Sequence, residues 1–205
     1  MRFEPRLIVE AIRDLQRETV VRWHRGDLDN PYGGFLSLVC QQHQFNYLLW
    51  HEEDIARSPD VSDARLAEVK RAIDGYNQQR NDAIERLDEA LVQQLAIEGV
   101  MPNSQATLNT ETPGSAIDRL SIMSLRIYHF EEQLERVDVD ATHMAKVNER
   151  LERCRLQQGD LSQSLGELLE DLKQGRKLLR VYRQMKMYND PTLNPYLYQR
   201  TRLAG

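Results

Sequence analysis

The sequence has little of what would place a protein in a membrane or in an oxidising compartment. Its two cysteines, Cys40 and Cys154, are far apart and fall in helical patterns, so neither a disulfide framework nor a zinc-binding spacing is indicated. No apolar run approaches the roughly 18 residues that a membrane span needs. The N-terminal residues lack the continuous apolar region of a signal peptide. These absences predict a cytoplasmic protein without a membrane span.

Glycine and proline are also scarce, with ten and seven residues in a chain of 205. Leu, Arg, Glu and Gln are abundant, which favours helix, and no segment reads as a strand. The hydrophobic fraction of 40% is sufficient for a buried core, so wholesale disorder is not expected. The sequence therefore predicts an all-α fold, with residues 1–205 forming a single bundle of about six helices.

Apolar periodicity and turn residues give the expected bounds of these helices. They are about 3–24, 35–57, 63–97, 116–136, 141–158 and 161–188. Residues 35–97 should form a helical hairpin and residues 115–188 the second half of the bundle, after an irregular loop near residues 99–114. Gly159 separates the last two predicted helices. Residues 189–205 are expected to form an extended tail.

Six side chains with varied chemistry follow one side of the second predicted helix. His43, Asn46, Trp50, Asp54 and Arg57 recur at offsets of 0, 3, 7, 11 and 14 residues, and Glu53 lies beside them. A row that mixes imidazole, amide, indole, carboxylate and guanidinium groups differs from an ordinary solvated face. This row indicates a candidate site.

The third predicted helix repeats the same spacing. Its row consists of Asp74, Asn77, Asn81, Glu85 and Asp88. Because a short turn near Pro59 should make the two helices antiparallel neighbours, the two rows could face each other as a polar seam. The alternatives are a surface stripe, or a buried hydrogen-bond network that fixes the helix register.

A divalent metal is a minor alternative for this seam. Magnesium prefers a few carboxylates together with phosphate oxygens, which Asp54, Asp74 and Glu85 could provide. No Glu-x-x-His pair of the di-iron type is present, and the full acidic spacing of helical pyrophosphohydrolases is not reproduced. No Ser-His-Asp triad, glycine-rich phosphate loop or Cys nucleophile motif is evident.

Two cationic side chains are candidates for binding an anion. Arg80 falls near the apolar stripe of the third helix and must find either a carboxylate, such as Asp118, or a ligand anion. The Pro-Gly-Ser run before Arg119 leads directly into an apolar helix, whose N-terminus favours anions. The alternative there is plain capping of the helix by Ser115.

Positive charge is concentrated near the end of the sequence. Residues 173–202 contain eight Lys or Arg and one acidic residue, and Arg176, Arg180, Arg183 and Lys186 recur at helical spacing. This basic segment could bind an anion or a protein partner, or pair with the acidic remainder of the chain. The sequence pI of about 5.6 argues against nucleic-acid binding.

Four blocks of sequence resemble the bacterial family catalogued as domain of unknown function 4254. They are His43-x-x-Asn46-x-x-x-Trp50-x-x-Glu53-Asp54-x-Ala56-Arg57, Ile73-Asp74-x-x-Asn77-x-x-Arg80-Asn81, Thr112-Pro-Gly-Ser-x-Ile-Asp118-Arg119-Leu120-Ser121 and Lys186-Met-Tyr-Asn-Asp-Pro-x-Leu-Asn-Pro-Tyr196. The resemblance covers nearly the whole chain. It implies a helical cytoplasmic bacterial protein, with a weak link to envelope-polysaccharide glycosyltransferases, and it carries over no catalytic residue.

The leading functional hypothesis is a bundle that binds or processes a phosphorylated or sugar-derived small molecule. His43, Glu53 and Asp54 would be the acid, base or metal groups. The ligand would be held by Asn46, Trp50, Arg57, Asp74, Asn77, Arg80, Asn81, Asp118 and Arg119. The alternatives are a non-catalytic adaptor for a partner such as a glycosyltransferase, and a magnesium-dependent phosphohydrolase.

Overall fold

The protein is an all-α bundle, as the sequence predicts. The computed structural model describes residues 4–187 and 190–198. Its long helices are α1 (Pro5–Trp23), α2 (Gly34–Ala56), α3 (Asp63–Ile97), α4 (Pro113–Leu134) and α5 (Ala141–Lys173). A single further helical turn covers residues 195–198. Within the described ranges, no helix is both long and apolar enough to cross a membrane.

Helix α4 is the centre of the bundle, because it contacts each of the other four long helices. Its apolar residues nearly encircle it, as a helix in this position requires. The helix begins at Pro113, and its N-cap is Thr112, whose hydroxyl accepts a hydrogen bond from the Ser115 backbone N–H at 3.2 Å. The prediction that Ser115 caps this helix was therefore wrong by three residues.

Helix α5 begins at Ala141, as predicted, but it joins the last two predicted helices into one and ends earlier than the sequence indicated. It continues through Gly159, where a break was predicted, because a glycine inside a helix costs only about 1 kcal/mol. It ends at Lys173, and Gly175, just beyond the C-cap Gln174, has a φ of +69°. There the Gly175 and Arg176 backbone N–H groups donate to the carbonyls of Leu172 and Asp171, at 3.0 and 2.8 Å. This paired pattern is the Schellman ending of a helix.

From Gly175 to residue 186 the chain is not helical, so the predicted helix to residue 188 was also wrong. Strand β2 (Lys177–Leu178) pairs in parallel with strand β1 (Thr107–Leu108), which belongs to the long loop before α4. No side chain would fit at Gly175, since a Cβ atom there would lie 2.5 Å from the Met101 carbonyl oxygen. The short pair of strands therefore fastens the loop to the end of α5.

The predicted extended tail is only partly within the described residues. Residues 190–194 form turns, and residues 195–198 form the helical turn rather than extended chain. Residue 189 and residues 199–205 lie outside the described ranges.

The basic segment pairs with the acidic body of the protein. Arg183 forms ion pairs with Glu85, at 2.8 Å, and with Glu89, while Arg176 pairs with Asp171 at 2.5 Å. Because residues 176–186 are not helical, the cations of this segment do not form the helical stripe that their spacing suggested.

All five long helices contribute to the main hydrophobic core. Its buried members are Val9, Ile12, Leu15, Trp23, Val39, Cys40, Leu87, Leu91, Leu95, Ala116, Ile117, Leu120, Leu165, Leu169 and Leu172. A smaller cluster of Leu49, Val69 and Ile73 lies between α2 and α3. Along α2, the polar positions 42–46 fall between these two apolar clusters, which is where the first candidate site lies.

Candidate functional site

Helix α2 carries polar side chains into two separate regions. The first, called the buried network here, consists of Gln16, Gln42, His43, Asn46, Arg80, Asp118 and Ser121. The second, called the histidine cleft, is lined by His24, Trp50, His51, Asp54, Arg126, His129, Phe130, Glu132 and Gln133. The row of residues that the sequence placed along one side of α2 is therefore divided between two environments.

Asp118 is the centre of the buried network. Its carboxylate accepts two hydrogen bonds from Arg80, one of them 2.7 Å from Nε to Oδ1. Gln42 Nε2 and Asn46 Nδ2 donate to the same Oδ1, at 2.6 and 2.9 Å. The hydrogen bonds that Arg80 donates to the Asp118 carboxylate raise the pKa of Arg80. One buried carboxylate thus joins α2, α3 and α4, and the predicted alternative of an Arg80–Asp118 pair is confirmed.

His43 is fully buried, and its tautomer follows from its partners. Nε2 lies 3.1 Å from the Gln16 carbonyl oxygen, which can only accept, so Nε2 carries the proton. Nδ1 then accepts from the Ser121 hydroxyl at 2.6 Å, and that hydroxyl accepts from Asn46 Nδ2 at 2.8 Å. Burial lowers the pKa of His43 to about 3, so the ring is neutral at physiological pH.

This Ser–His pair has the connectivity of a nucleophile and its base, but neither side chain is exposed. Each of the two imidazole nitrogens already has a partner. Most of its buried polar groups bond to one another, as in the register-fixing alternative, but Gln16 Oε1 and Gln42 Oε1 are buried and have no partner among the described residues.

The third helix supplies only Arg80 to this network. Asp74 is exposed and pairs with Lys70. Asn77 and Asn81 are half-buried, and no hydrogen bond joins their side chains to a described residue. The seam between α2 and α3 was therefore wrongly placed. The helix whose polar side chains face His43 and Asn46 is the central helix α4, not α3.

The N-terminus of α4 already has an anion. The Gly114 backbone N–H donates to Asp88 Oδ1 at 2.7 Å. Burial raises the pKa of Asp88 to about 6, against the opposing effect of its hydrogen bonds from Thr112 and Gly114. A carboxylate of α3 thus occupies the position where the sequence indicated a ligand anion.

Other predicted residues lie on the surface, away from both regions. Glu53 and Arg57 pair with each other at 2.8 Å, and Arg119 pairs with Glu111 at 3.0 Å. The carboxylates expected to hold magnesium are not brought together, because Asp74 pairs with Lys70 while Glu85 pairs with Arg183.

The histidine cleft is an open cavity of about 610 Å³ between the C-terminal end of α1, α2 and α4. His24 is the C-cap of α1, while His51 and His129 lie on α2 and α4. One ring nitrogen from each of these imidazoles lies within 4.8 Å of the other two. Their ring centroids are 5.1 to 5.9 Å apart. Three of the five histidines of the chain thus meet at one point.

Two of the three rings are oriented by hydrogen bonds. His24 Nδ1 donates to the Val20 carbonyl at 2.7 Å, and His129 Nδ1 donates to the Glu132 carboxylate at 3.1 Å. The Nε2 atoms of His24, His51 and His129 are buried and have no hydrogen-bond partner among the described residues. Burial, together with the charges of His24 and His129, lowers the pKa of His51.

Aromatic rings support the imidazoles. Trp50 stacks on His129 with 4.6 Å between ring centroids and an angle of 8°. Tyr128 stacks on His24 at 4.1 Å. At the mouth of the cleft, Asp54 and Arg126 are exposed. Trp50 and Asp54 are the two predicted site residues that line this cleft.

No sequence pattern indicated His24, His129 or Arg126 as site residues. Their positions in three different segments follow no motif spacing, because the contact between them depends on how α1, α2 and α4 pack. His51 lies next to Trp50 and could have been included as a neighbour of the predicted row.

A larger groove, of about 900 Å³, lies between α1 and α5. Its lining is mostly charged or small, including Glu10, Arg13 and Gly166, and it contains neither an aromatic ring nor an imidazole. The histidine cleft is therefore the more specific candidate site.

Comparison with known proteins gives one match. The model of the family described as "Protein of unknown function (DUF4254)" matches residues 36–181, which contain His51 and His129 as well as Asp118. No curated protein and no solved structure is significantly similar to the chain.

Proposed function

We propose that this chain, which belongs to the DUF4254 family of proteins of unknown function, binds a phosphorylated or sugar-derived small molecule in the histidine cleft. The observation that carries this proposal is the lining of the cleft. An open space of about 610 Å³ combines Trp50 with Asp54 and the guanidinium of Arg126. This volume is in the range of small-molecule sites, which lie between about 300 and 1,000 Å³.

Each part of such a ligand has a suitable partner in the cleft. Arg126 forms no ion pair with any described residue, so its charge is available to a phosphate group. Asp54, Glu132 and Gln133 offer carboxylate and amide groups for hydroxyls. Trp50 offers an aromatic edge and face for the apolar side of a sugar ring.

The imidazoles add acid–base capacity. The lowered pKa of His51 keeps its ring neutral near pH 7, the form that can accept a proton from a bound hydroxyl or water. The cleft could therefore process its ligand as well as bind it.

Calorimetric titration of metal-free protein tests the proposal. The probes are glucose 1-phosphate, glucose and inorganic phosphate, which separate the sugar from the anion. We expect glucose 1-phosphate to bind more tightly than either fragment. Trp50→Ala and Arg126→Gln should each weaken its binding by about tenfold, which is about 1.4 kcal/mol.

Arg153→Gln is the matched control, because Arg153 is exposed on α5 and pairs only locally, with Glu149 at 2.8 Å. This variant should bind as the unchanged protein does. The proposal fails if none of the probes binds, or if the two cleft variants behave like the control.

A non-catalytic adaptor is the second candidate function. It is favoured by large apolar side chains that are exposed along the segment after α5, namely Tyr182, Met185, Met187 and Tyr196. Exposed apolar groups of this kind mark protein contacts when they form a patch. A glycosyltransferase, the partner class that the family resemblance implies, should co-purify with the unchanged protein and not with Met185→Asp. Loss of co-purification in Trp50→Ala instead would contradict this candidate.

A further inference from the structure

We propose that His24, His51 and His129 form a binding site for one divalent transition-metal ion of the zinc class. The inference goes beyond the small-molecule proposal and does not depend on it, because the three imidazoles would bind the ion without any organic ligand. Four properties of the cleft support it. The three imidazoles converge, two of the rings are oriented by hydrogen bonds, their Nε2 atoms have no partner among the described residues, and the cleft is open to solvent.

The three ring nitrogens are close to the separation that a metal ion imposes. They lie within 4.8 Å of one another. A tetrahedral zinc ion with Zn–N distances of 2.0–2.1 Å holds its nitrogen ligands about 3.3 Å apart. Binding of the ion would therefore bring the nitrogens closer together by up to about 1.5 Å.

The orientation of two rings is already that of metal ligands. His24 and His129 donate their Nδ1 protons to the Val20 carbonyl and the Glu132 carboxylate. A metal-binding histidine usually donates its second ring N–H to a carbonyl or a carboxylate, which fixes the tautomer and makes the ligand nitrogen more basic. The Nε2 lone pairs of these two rings are thereby left free.

The Nε2 atoms have no other role within the described part of the chain. In all three residues Nε2 is buried and accepts no hydrogen bond there. Buried polar atoms normally have a partner, so three unpartnered nitrogens in one cluster require an explanation. Shared protonation is a poor one, because it would bring like charges within about 5 Å of each other. A cation that accepts three lone pairs satisfies all of them at once.

The donor set determines the class of ion. Imidazole nitrogen suits zinc, copper, nickel and iron, whereas magnesium and calcium prefer oxygen ligands. Three protein ligands leave a tetrahedral ion with one further position, and the cleft that these residues line is open to solvent. Sites of this composition bind water or an anionic oxygen at the fourth position.

Cobalt(II) titration tests the site directly. The full-length protein is first dialysed against a chelator, and binding is followed by the visible d–d bands of cobalt and by calorimetry with zinc. We expect one equivalent of either ion to bind, and zinc to displace cobalt. His51→Gln and His129→Gln should each lower the affinity at least 100-fold.

His143→Gln is the matched control. His143 is a half-buried histidine on α5, outside the cluster, and its Nε2 is likewise buried without a partner among the described residues. This control should bind zinc with unchanged affinity. Circular dichroism of each variant establishes that it is folded before its affinity is compared.

A measurement on the unchanged protein removes any dependence on the variants. In nitrogen-detected NMR of the imidazole rings, zinc should shift the signals of His24, His51 and His129 and leave those of His43 and His143 in place. The site is excluded if the unchanged protein binds no ion, or if zinc moves the His143 signals instead. It is also excluded if His51→Gln binds as tightly as His143→Gln. Because the small-molecule titration uses metal-free protein, failure of one proposal is distinguishable from failure of the other.

Discussion

The buried network and the histidine cleft begin on the same helix and differ in almost every physical property. His43 and Asn46 are buried, and each of their described hydrogen bonds ends on another helix. Two turns further along α2, His51 faces an open cavity with a nitrogen that has no partner among the described residues. Histidine is therefore a structural side chain in one region and an available ligand in the other.

The difference teaches that residue type and helical spacing do not identify a site by themselves. A buried polar group whose hydrogen-bonding capacity is used by its neighbours stabilises one arrangement of helices. A polar group with spare capacity next to open space can bind something else. Three perturbations test this distinction, and they are ordered here by the size of the expected effect.

Asp118→Asn should produce the largest loss of stability. The amide lacks the negative charge that pairs with Arg80. In either orientation its NH2 group faces a donor, which is Arg80 at the Oδ2 position or Gln42 and Asn46 at the Oδ1 position. Breaking a buried ion pair in this way costs about 3–5 kcal/mol. Urea denaturation measures the change, and zinc binding by the folded variant should be unaffected.

Glu111→Gln is the control for Asp118→Asn, because it removes the carboxylate of an exposed arginine pair, with Arg119. Its expected cost is under about 0.5 kcal/mol. If the two variants lost similar stability, the buried network would not be the element that fixes the helices.

His43→Gln should change how stability depends on pH. The folded pKa of His43, about 3, lies below the ordinary value of 6.5. The free energy of unfolding that the neutral, buried ring contributes is therefore fully present above pH 6.5, and it is lost as the pH falls toward 3. Between pH 7 and pH 5 the unchanged protein should lose about 2 kcal/mol from this cause. The glutamine variant should lack this component.

Urea denaturation of the two proteins across this pH range measures the effect as a difference. Asp88 contributes a slope of opposite sign, because its folded pKa of about 6 is above the ordinary 3.8. Both proteins contain Asp88, so its contribution cancels. Parallel pH profiles would show that His43 is protonated in the folded state and that the buried network is wrongly described.

His51→Gln should have the smallest effect on stability, under about 1 kcal/mol in the presence of a chelator. The lost ring makes an edge contact with Tyr47 at 4.4 Å, but its Nε2 gives up no hydrogen bond to a described residue. Thermal unfolding with and without zinc then distinguishes the role of the histidine cleft from that of the buried network. Zinc should raise the melting temperature of the unchanged protein and leave that of the variant in place. A large loss of stability without metal would contradict this prediction.

The fold was largely predictable because its signal is local. Apolar periodicity and helix-breaking residues located α1, α2 and α3 to within a few residues, since each of these helices is fixed by its own sequence. The errors in the bounds of α5 occurred because a glycine can either lie inside a helix or follow its end. Gly159 lies inside α5, whereas Gly175 follows its end with a φ of +69° and packs against the Met101 carbonyl, a contact that the local sequence does not reveal.

The candidate site was predictable only in part, because its partners come from distant segments. The Arg80–Asp118 pair could be anticipated, since a guanidinium on an apolar stripe requires a carboxylate. Trp50 and Asp54 were found on the correct helix. The roles of Asp118, Ser121 and His129 as partners of α2 depend on the central position of α4, which helical spacing within α2 and α3 does not reveal.

The short pair of strands has a consequence for the order in which the chain folds. Strands β1 and β2 join residues 107 and 177, so everything between them is one closed loop that contains α4 and α5. Closing so long a loop is costly in chain entropy, and a pair of two-residue strands returns little for it. We therefore expect the hairpin of α4 and α5 to form first and the strands to join last. In the native protein the same junction should open first and most often, which makes the chain around Met101 and Gly175 the place where local unfolding begins.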